Sequence, residues 1–180
     1  MIENLNVSSG CVTWKSNERN IILNVEDAFF ATEDEKLELI QVESGKNFIA
    51  TKVYYYSYDG NLELYYDLNL SIVNWTYQGK QKNLFINQLK QVIFLPQKQK
   101  IFILSDGEKQ ELYGYNLIGD CLFKVNQPVG FKMQYFACSK DQISIVCDGD
   151  KNHEDQYGRS RYNFLLDVNN GNLSKGNLAY

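Results

Sequence analysis

The stretch YYYSYDGNLELYYDLNLSIV, residues 54–73, places two alternating apolar segments on either side of Asp59-Gly60. An Asp-Gly pair between alternating hydrophobic residues is a strong hairpin signal, because glycine adopts a positive φ without a Cβ clash. A second turn at Asn69 leads into a further apolar segment, Ser71–Val73. The stretch therefore predicts a meander of short antiparallel strands.

The same pattern occurs three more times along the chain. The copies are FFATEDEKLELIQVESGK (29–46), IFILSDGEKQELYGYNLIGDCLFK (101–124) and ISIVCDGDKNHEDQYGRSRYNFLLDVNNGNLSK (143–175). Their first turns are at Asp34-Glu35, Asp106-Gly107 and Asp148-Gly149, and their second turns are at Ser44-Gly45, Gly119-Asp120 and Asn170-Gly171. The apolar segments QVIFL (91–95) and KMQYFAC (132–138) precede the last two copies and supply a first strand to each, which makes a four-stranded unit.

This organisation resembles the blades of the β-propeller family. The turn aspartates Asp59, Asp106 and Asp148 are 47 and 42 residues apart, close to one blade, whereas Asp34 and Asp59 are only 25 apart. We expect one all-β domain, residues 1–180, with antiparallel four-stranded repeats at about 20–46, 47–82, 83–126 and 127–176. A β-sandwich or a barrel meander is the alternative. We also expect Cys11–Lys15 to complete the last unit, and one helical turn within Asn83–Gln91.

Composition indicates a globular chain outside the membrane. The 180 residues carry a net charge of −4, with 44% hydrophobic and 14% aromatic residues. The opening MIENLNVSSG lacks the basic start and apolar core of a signal peptide, so we expect a cytoplasmic protein. An acidic balance disfavours nucleic acid as a partner. The cysteines are expected to be buried thiols, with Cys138 and Cys147 the best-placed pair if a disulfide forms.

The motifs of enzymes and cofactor sites are missing from the sequence. His153 is the only histidine, and no nucleophile elbow, zinc-protease, P-loop or dinucleotide signature occurs. Asp148, Asp150 and Asn152 resemble the start of a calcium loop, but His153 and Arg159 replace the glycine and the bidentate acid that such a loop needs. We therefore predict no enzyme, no cofactor and no metal site, with those three residues as weak metal candidates.

Charge is distributed unevenly along the chain. Positions 26–43 contain seven acids and one base, whereas positions 68–105 contain five lysines and no acid. Either region can be an ordinary solvated face or can steer a charged partner. In the last repeat, Arg159 and Arg161 lie close to Tyr157 in sequence. The two arginines either contact a partner or offset the acids of their own loop. The predicted partner-binding residues are Glu33, Asp34, Glu35, Glu38, Tyr157, Arg159 and Arg161.

We predict a non-enzymatic protein-binding module with a protein partner of basic charge, such as an immunity-type protein that neutralises a toxin. The alternatives are a carbohydrate-binding propeller that uses tyrosine faces and turn carboxylates, and a hydrolase whose acids surround a central channel. Most tyrosines, together with Trp14 and Trp75, are expected in the core, because both faces of a propeller blade pack on neighbouring blades.

Overall fold

The structure is a computed structural model that describes residues 2–139 and 142–179. Within these ranges it contains seventeen β-strands, all paired antiparallel, three single-turn 3-10 helices and no α-helix. The strands are β1 Glu3–Ser8, β2 Cys11–Ser16, β3 Arg19–Asn24, β4 Ala28–Asp34, β5 Leu39–Ser44, β6 Lys52–Ser57, β7 Leu62–Asp67, β8 Ile72–Tyr77, β9 Lys80–Phe85, β10 Leu89–Leu95, β11 Lys100–Ser105, β12 Glu111–Asn116, β13 Cys121–Asn126, β14 Phe131–Ser139, β15 Gln142–Gly149, β16 Arg161–Leu166 and β17 Leu173–Leu178. The chain divides into two compact units, Met1–Ile86 and Asn87–Tyr180.

The first unit consists of a three-stranded sheet, β1-β2-β3, and a six-stranded meander, β4 to β9. Alternation along β2 buries Val12 and Trp14 against Ile40, Val42 and Tyr56 of the larger sheet. The indole Nε1 of Trp14 donates a 2.8 Å hydrogen bond to the carbonyl oxygen of Tyr58, so the polar atom of this buried ring has a partner. One buried cluster of this unit therefore lies between β1–β3 and strands β4–β6.

The second unit consists of two four-stranded meanders, β10 to β13 and β14 to β17. The ring of Phe123 lies directly against Gly114 and Gly171, since a Cβ on either glycine would lie 2.5 Å from it. The side chain of Gln110 is fully buried and hydrogen-bonds both to Asp106 and to the backbone nitrogen of Met133. Gln110 thus joins the two sheets of the unit by polar contacts.

The all-β prediction of repeated antiparallel sheets is confirmed. The Asp59-Gly60 and Asp106-Gly107 pairs lie in the predicted turns, but Asp148-Gly149 forms the end of β15 and the loop begins at Asp150. None of the sheets in residues 2–139 and 142–179 closes into a barrel, so the barrel alternative is wrong. The circular arrangement of propeller blades stays a prediction.

Three finer expectations are corrected. Segments 20–46 and 47–82 do not form separate sheets: β4 to β9 is one continuous sheet, and β3 belongs to the smaller one. The helical turn expected within Asn83–Gln91 is instead the end of β9, a turn and the start of β10. The segment Cys11–Lys15 lies in β2, whose two edges are occupied by β1 and β3, so it does not complete the last sheet.

The cysteines are all thiols, as expected, but they are not all buried. Cys147 is fully buried, Cys11 is half-buried, and Cys121 and Cys138 are exposed. The expectation of buried thiols is therefore wrong for Cys121 and Cys138, which lie on edge strands. Among the described residues, no helix has the length and apolarity needed to cross a bilayer.

Candidate functional site

The predicted acidic residues cluster at the hairpin that joins β4 to β5. Asp34 ends β4, and its Oδ1 accepts a 3.0 Å hydrogen bond from the backbone nitrogen of Leu37, which fixes the turn. Glu38 closes the turn with a φ of 55°, the left-handed conformation. Asp34, Glu35 and Glu38 are exposed. The hairpin therefore presents three carboxylates to solvent on an ordered turn, which we name the acidic hairpin.

Glu33 differs from the other three acids because its carboxylate forms hydrogen bonds with distant parts of the chain. Its Oε1 accepts a 2.6 Å hydrogen bond from the hydroxyl of Tyr58 and a 3.3 Å bond from the backbone nitrogen of Ile2. Burial, followed by this bond to Glu33, raises the pKa of Tyr58. The side chains of the hairpin border a cavity of about 360 Å³, which also reaches Gln41 and Tyr55. Glu33 therefore positions the hairpin beside this cavity.

The strand reversal divides the acidic segment that was continuous in sequence. Glu26 and Asp27 precede β4 and line a separate cavity of about 480 Å³ at the opposite end of the sheet. Lys46 and Lys52 line the same cavity, so the charges there are mixed. Of these two places, the acidic hairpin has the larger excess of acids, because Glu33, Asp34, Glu35 and Glu38 lie there with one base, Lys36.

The second set of predicted contact residues lies in the loop between β15 and β16, residues 150–160. The imidazole of His153 packs on Phe131 with ring centroids 4.3 Å apart, and its Nδ1 lies 2.7 Å from Oδ1 of Asp150. A Cβ on Gly130 would lie 2.2 Å from Cε1 of His153, and one on Gly149 would lie 2.7 Å from its Cβ. The single histidine is therefore seated between two glycines and anchors the loop.

Asp155 organises the outer part of this loop. Its carboxylate accepts hydrogen bonds from the backbone nitrogens of Tyr157 and Arg159, at 2.8 and 3.0 Å, and from Nε of Arg159 at 2.8 Å. The bonds from Arg159 lower the pKa of Asp155 to about 2. The guanidinium of Arg159 lies 5.1 Å from the centre of the Tyr157 ring, which is 72% exposed. The loop thus presents one aromatic ring on a well-fixed backbone.

Both arginines of the predicted site form ion pairs with acids of their own hairpin. Arg161 contacts Asp148 through Nε at 2.6 Å and through a second nitrogen at 3.2 Å, and Arg159 contacts Asp155. This is the geometry expected if the arginines offset the loop acids. A role in partner contact stays a prediction for Tyr157, Arg159 and Arg161.

The weak metal candidates have local structural roles. Asp148 pairs with Arg161, while Oδ1 of Asp150 caps the turn Lys151–His153 by accepting from the backbone nitrogen of Asn152 at 2.9 Å. Within residues 2–139 and 142–179, no group of three or more His, Cys, Asp or Glu side chains is arranged to hold a metal ion. Burial raises the pKa of the Cys147 thiol to about 12, and its Sγ contacts the carbonyl of Ile145 rather than an imidazole.

The prediction that most tyrosines and both tryptophans lie in the core is confirmed only in part. Trp14, Trp75, Tyr55, Tyr56 and Tyr66 are buried, as expected. Several other tyrosines are only half-buried and stack in pairs on sheet faces, namely Tyr54 with Tyr65 at 5.7 Å and Tyr113 with Tyr115 at 6.3 Å between ring centroids. The tyrosines therefore supply partly accessible rings as well as core packing.

The sequence analysis missed one small cavity on the six-stranded sheet. It has a volume of about 40 Å³, and it is lined by the polar residues Glu63, Asn74, Thr76 and Gln81 together with Leu62, Tyr65 and Trp75. The available signal was Glu63 itself, an acid that alternates with apolar residues in the segment LELYY (62–66). Only the pairing of β7, β8 and β9 brings these side chains together.

The chain matches no protein-family model, no curated protein and no solved structure. Functional inference for this protein therefore rests on the acidic hairpin, the loop 150–160 and the small cavity beside Glu63.

Proposed function

We propose that this protein is a non-enzymatic protein-binding module of the cytoplasm that captures a basic protein through the acidic hairpin, in the manner of an immunity protein that neutralises a toxin. The carrying observation is the exposure of Asp34, Glu35 and Glu38 on one fixed turn, beside a cavity of about 360 Å³. In this proposal the antiparallel sheets are the blades of a small propeller, which serves as a rigid scaffold.

Electrostatic attraction explains why such a hairpin suits capture. Charged groups of one sign on a protruding turn raise the encounter rate with an oppositely charged partner, and salt screens the effect over about 8–10 Å. The Asp34 bond to Leu37 and the Glu33 bond to Tyr58 hold the carboxylates in place before binding. Less conformational entropy is then lost when the partner binds.

The loop 150–160 supports the same function by a different mechanism. An exposed tyrosine is a frequent anchor of protein interfaces, because its ring buries a large area and has few rotatable bonds. The carboxylate of Asp155 fixes the backbone on both sides of Tyr157. We propose that Tyr157 contributes to the lifetime of the complex, whereas the acidic hairpin contributes to its rate of formation.

The test uses charge reversal at positions that do not support the fold. Products of neighbouring genes are screened for a basic partner, and the association rate is measured by stopped flow at low and high salt. Glu35→Lys with Glu38→Lys should slow association at least about tenfold at low salt, because steering accounts for one to three orders of magnitude in rate. The matched control, Glu18→Lys with Glu108→Lys, makes the same change in net charge at two other exposed positions. Equal slowing by both double variants would overturn the assignment to the hairpin.

A further inference from the structure

The small cavity beside Glu63 lies on one face of strands β7, β8 and β9. The pairing of these strands places Tyr65 opposite Asn74, and Thr76 opposite Gln81. Since strand residues alternate between faces, Glu63 shares the face of Tyr65, whereas the neighbouring Leu64 is fully buried on the other. The buried cluster between the two sheets uses β4–β6 on this face, whereas the buried residues of β7 and β8, Leu64, Tyr66, Val73 and Trp75, lie on the opposite face. This part of the face therefore presents polar side chains beside a tyrosine ring.

Glu63 is the charged group of this cavity. Its side chain is half-buried, and burial raises the pKa of its carboxyl, with no charged neighbour contributing to the shift. On β9, Lys80 and Lys82 alternate onto the face opposite that of Gln81, and on β6, Lys52 pairs with Asp67 rather than with Glu63. A partly desolvated carboxylate without a positive neighbour is costly unless a ligand supplies the opposite charge.

Tyr65 and the amide side chains complement that carboxylate. The ring of Tyr65 stacks on Tyr54 at 5.7 Å, with 20° between the ring planes, and this contact restricts its orientation. A tyrosine ring attracts a cation near its face, and the oxygens of Asn74, Thr76 and Gln81 accept hydrogen bonds. The cavity volume of about 40 Å³ matches a group the size of an ammonium and is too small for a sugar ring.

We propose that Glu63, Tyr65, Asn74 and Gln81 form a binding site for a primary ammonium group, and that its natural occupant is a lysine side chain of the basic partner. The ammonium contacts the Glu63 carboxylate, its methylene stem lies along the Tyr65 ring, and the two amide oxygens accept its remaining N–H groups. The identity of the occupant rests on the proposed function, whereas the ammonium site itself does not.

The test is a titration of the full chain with Nα-acetyl-lysine methylamide, followed by NMR at the side-chain amides of Asn74 and Gln81. We expect saturable shifts with a millimolar dissociation constant. Glu63→Gln, which keeps the size of the side chain, should weaken binding by at least about tenfold, because a hydrogen bond to a charged group is lost. Tyr65→Leu should weaken it about two- to fivefold, the range of an exposed cation–π contact. Glu108→Gln, which removes the same charge at an exposed position outside both proposed sites, is the matched control and should leave the affinity unchanged.

A second probe requires no variant and so does not depend on folding. The Nε-acetylated form of the same compound has the stem without the charge, and it should not shift the two amides. Equal shifts by both probes, an unchanged affinity in Glu63→Gln, or no shifts at all would overturn the ammonium site. Shifts caused by neutral disaccharides and not by the lysine compound would replace it with a carbohydrate site. A positive lysine titration with no association of any basic protein would contradict the proposed function alone.

Discussion

The hydroxyl of Tyr58 donates a 2.6 Å hydrogen bond to Oε1 of Glu33, which joins the turn after β6 to the end of β4. The backbone carbonyl of Tyr58 accepts the indole N–H of Trp14 from the three-stranded sheet. One residue therefore links the acidic hairpin, the six-stranded sheet and the buried tryptophan. The conformation of the hairpin is thus coupled to the core of the first unit.

Removing the hydroxyl in Tyr58→Phe should lower the free energy of unfolding by about 1–2 kcal/mol, because a hydrogen bond to a carboxylate is lost while the ring is kept. Urea denaturation at pH 7 measures the change. Tyr157→Phe, which alters an exposed hydroxyl with no described partner, should leave stability within about 0.5 kcal/mol of the wild type. Equal stability of the two variants would show that the Tyr58 bond does not support the fold.

The same bond predicts a dependence on alkaline pH. The pKa of Tyr58 is raised in the folded protein, mainly by burial and next by the bond to Glu33. A tyrosine whose pKa is higher in the folded state stabilises the protein at pH values below its unfolded-state pKa of about 10. This stabilisation is lost as pH rises through the folded-state pKa. The stability difference between wild type and Tyr58→Phe should therefore be constant from pH 7 to 9 and should shrink above pH 10. A difference that grows above pH 10 would contradict this assignment.

Glu63→Gln should stabilise the protein at neutral pH, in contrast to most substitutions in a half-buried position. The folded pKa of Glu63 is raised by burial, so the folded state binds its proton more tightly than the unfolded state does. The free energy of unfolding then falls as pH rises from the unfolded-state pKa of about 4.3 through the raised folded-state pKa, so the ionised carboxylate lowers stability above that range. We expect a melting temperature a few degrees higher for Glu63→Gln at pH 7, and equal values at pH 3.5. A lower melting temperature at pH 7 would mean that the carboxylate has a partner in the fold.

Gln110 provides the corresponding test in the second unit. Its side chain is fully buried and bonds to Asp106 at 2.6 Å, while its backbone nitrogen donates to Gln127 at 3.0 Å. Gln110→Leu should lower the free energy of unfolding by roughly 2–3 kcal/mol, because the backbone nitrogen of Met133 loses its Gln110 acceptor and Asp106, which keeps Lys90, loses its Gln110 donor. Gln156→Leu, in the exposed part of the loop 150–160, is the control and should change stability by less than about 0.5 kcal/mol.

Gln110 also holds the pKa of Asp106 below its usual range, ahead of the contribution of Lys90. A carboxyl group whose pKa is lower in the folded state stabilises the protein at pH values above its unfolded-state pKa of about 3.9. This stabilisation is lost as pH falls through the folded-state pKa. Below pH 4, the stability of Gln110→Leu should therefore fall less steeply with pH than that of the wild type. An identical slope in calorimetry would assign the lowered pKa to Lys90 instead.

Much of the strand content could be predicted from sequence because alternation and turn chemistry act locally. Asp59-Gly60 and Asp106-Gly107 lie in their predicted turns for this reason. The helical spacing within Asn83–Gln91 was misleading, since two strand ends joined by a turn, with Gln88 at a φ of 54°, also place apolar residues three and four apart. Local patterns therefore predicted which segments form strands. They did not predict that β4 to β9 form one sheet, because the pairing of strands is set by tertiary packing.

The candidate sites show the same division between local and distant effects. The acids 33–38 were recognisable as a charged turn, but the inward bond of Glu33 depends on Tyr58, 25 residues away in sequence. The cavity beside Glu63 requires the register of three strands. Of the two alternatives left open for the arginines of the last repeat, the pairing of Arg159 with an acid of its own loop follows from sequence, because Asp155 is four residues away and such a pair forms locally.

The packing of the His153 imidazole against Gly130 can be tested with two glycines that have the same backbone conformation. Gly130 and Gly158 have φ values of 77° and 75°. The left-handed conformation therefore destabilises an alanine by the same amount at either position, about 1–2 kcal/mol. A Cβ on Gly158 would have no atom within 4 Å, whereas one on Gly130 would lie 2.2 Å from Cε1 of His153. Gly130→Ala should therefore destabilise the protein by about 1–3 kcal/mol more than Gly158→Ala, the range of an overpacked site. Adding His153→Ala should remove this excess, since it deletes the ring that the new methyl group would meet. The two glycine variants, each with and without His153→Ala, are compared by urea denaturation, and an excess that persists without the imidazole would show that Gly130 is required by the backbone alone.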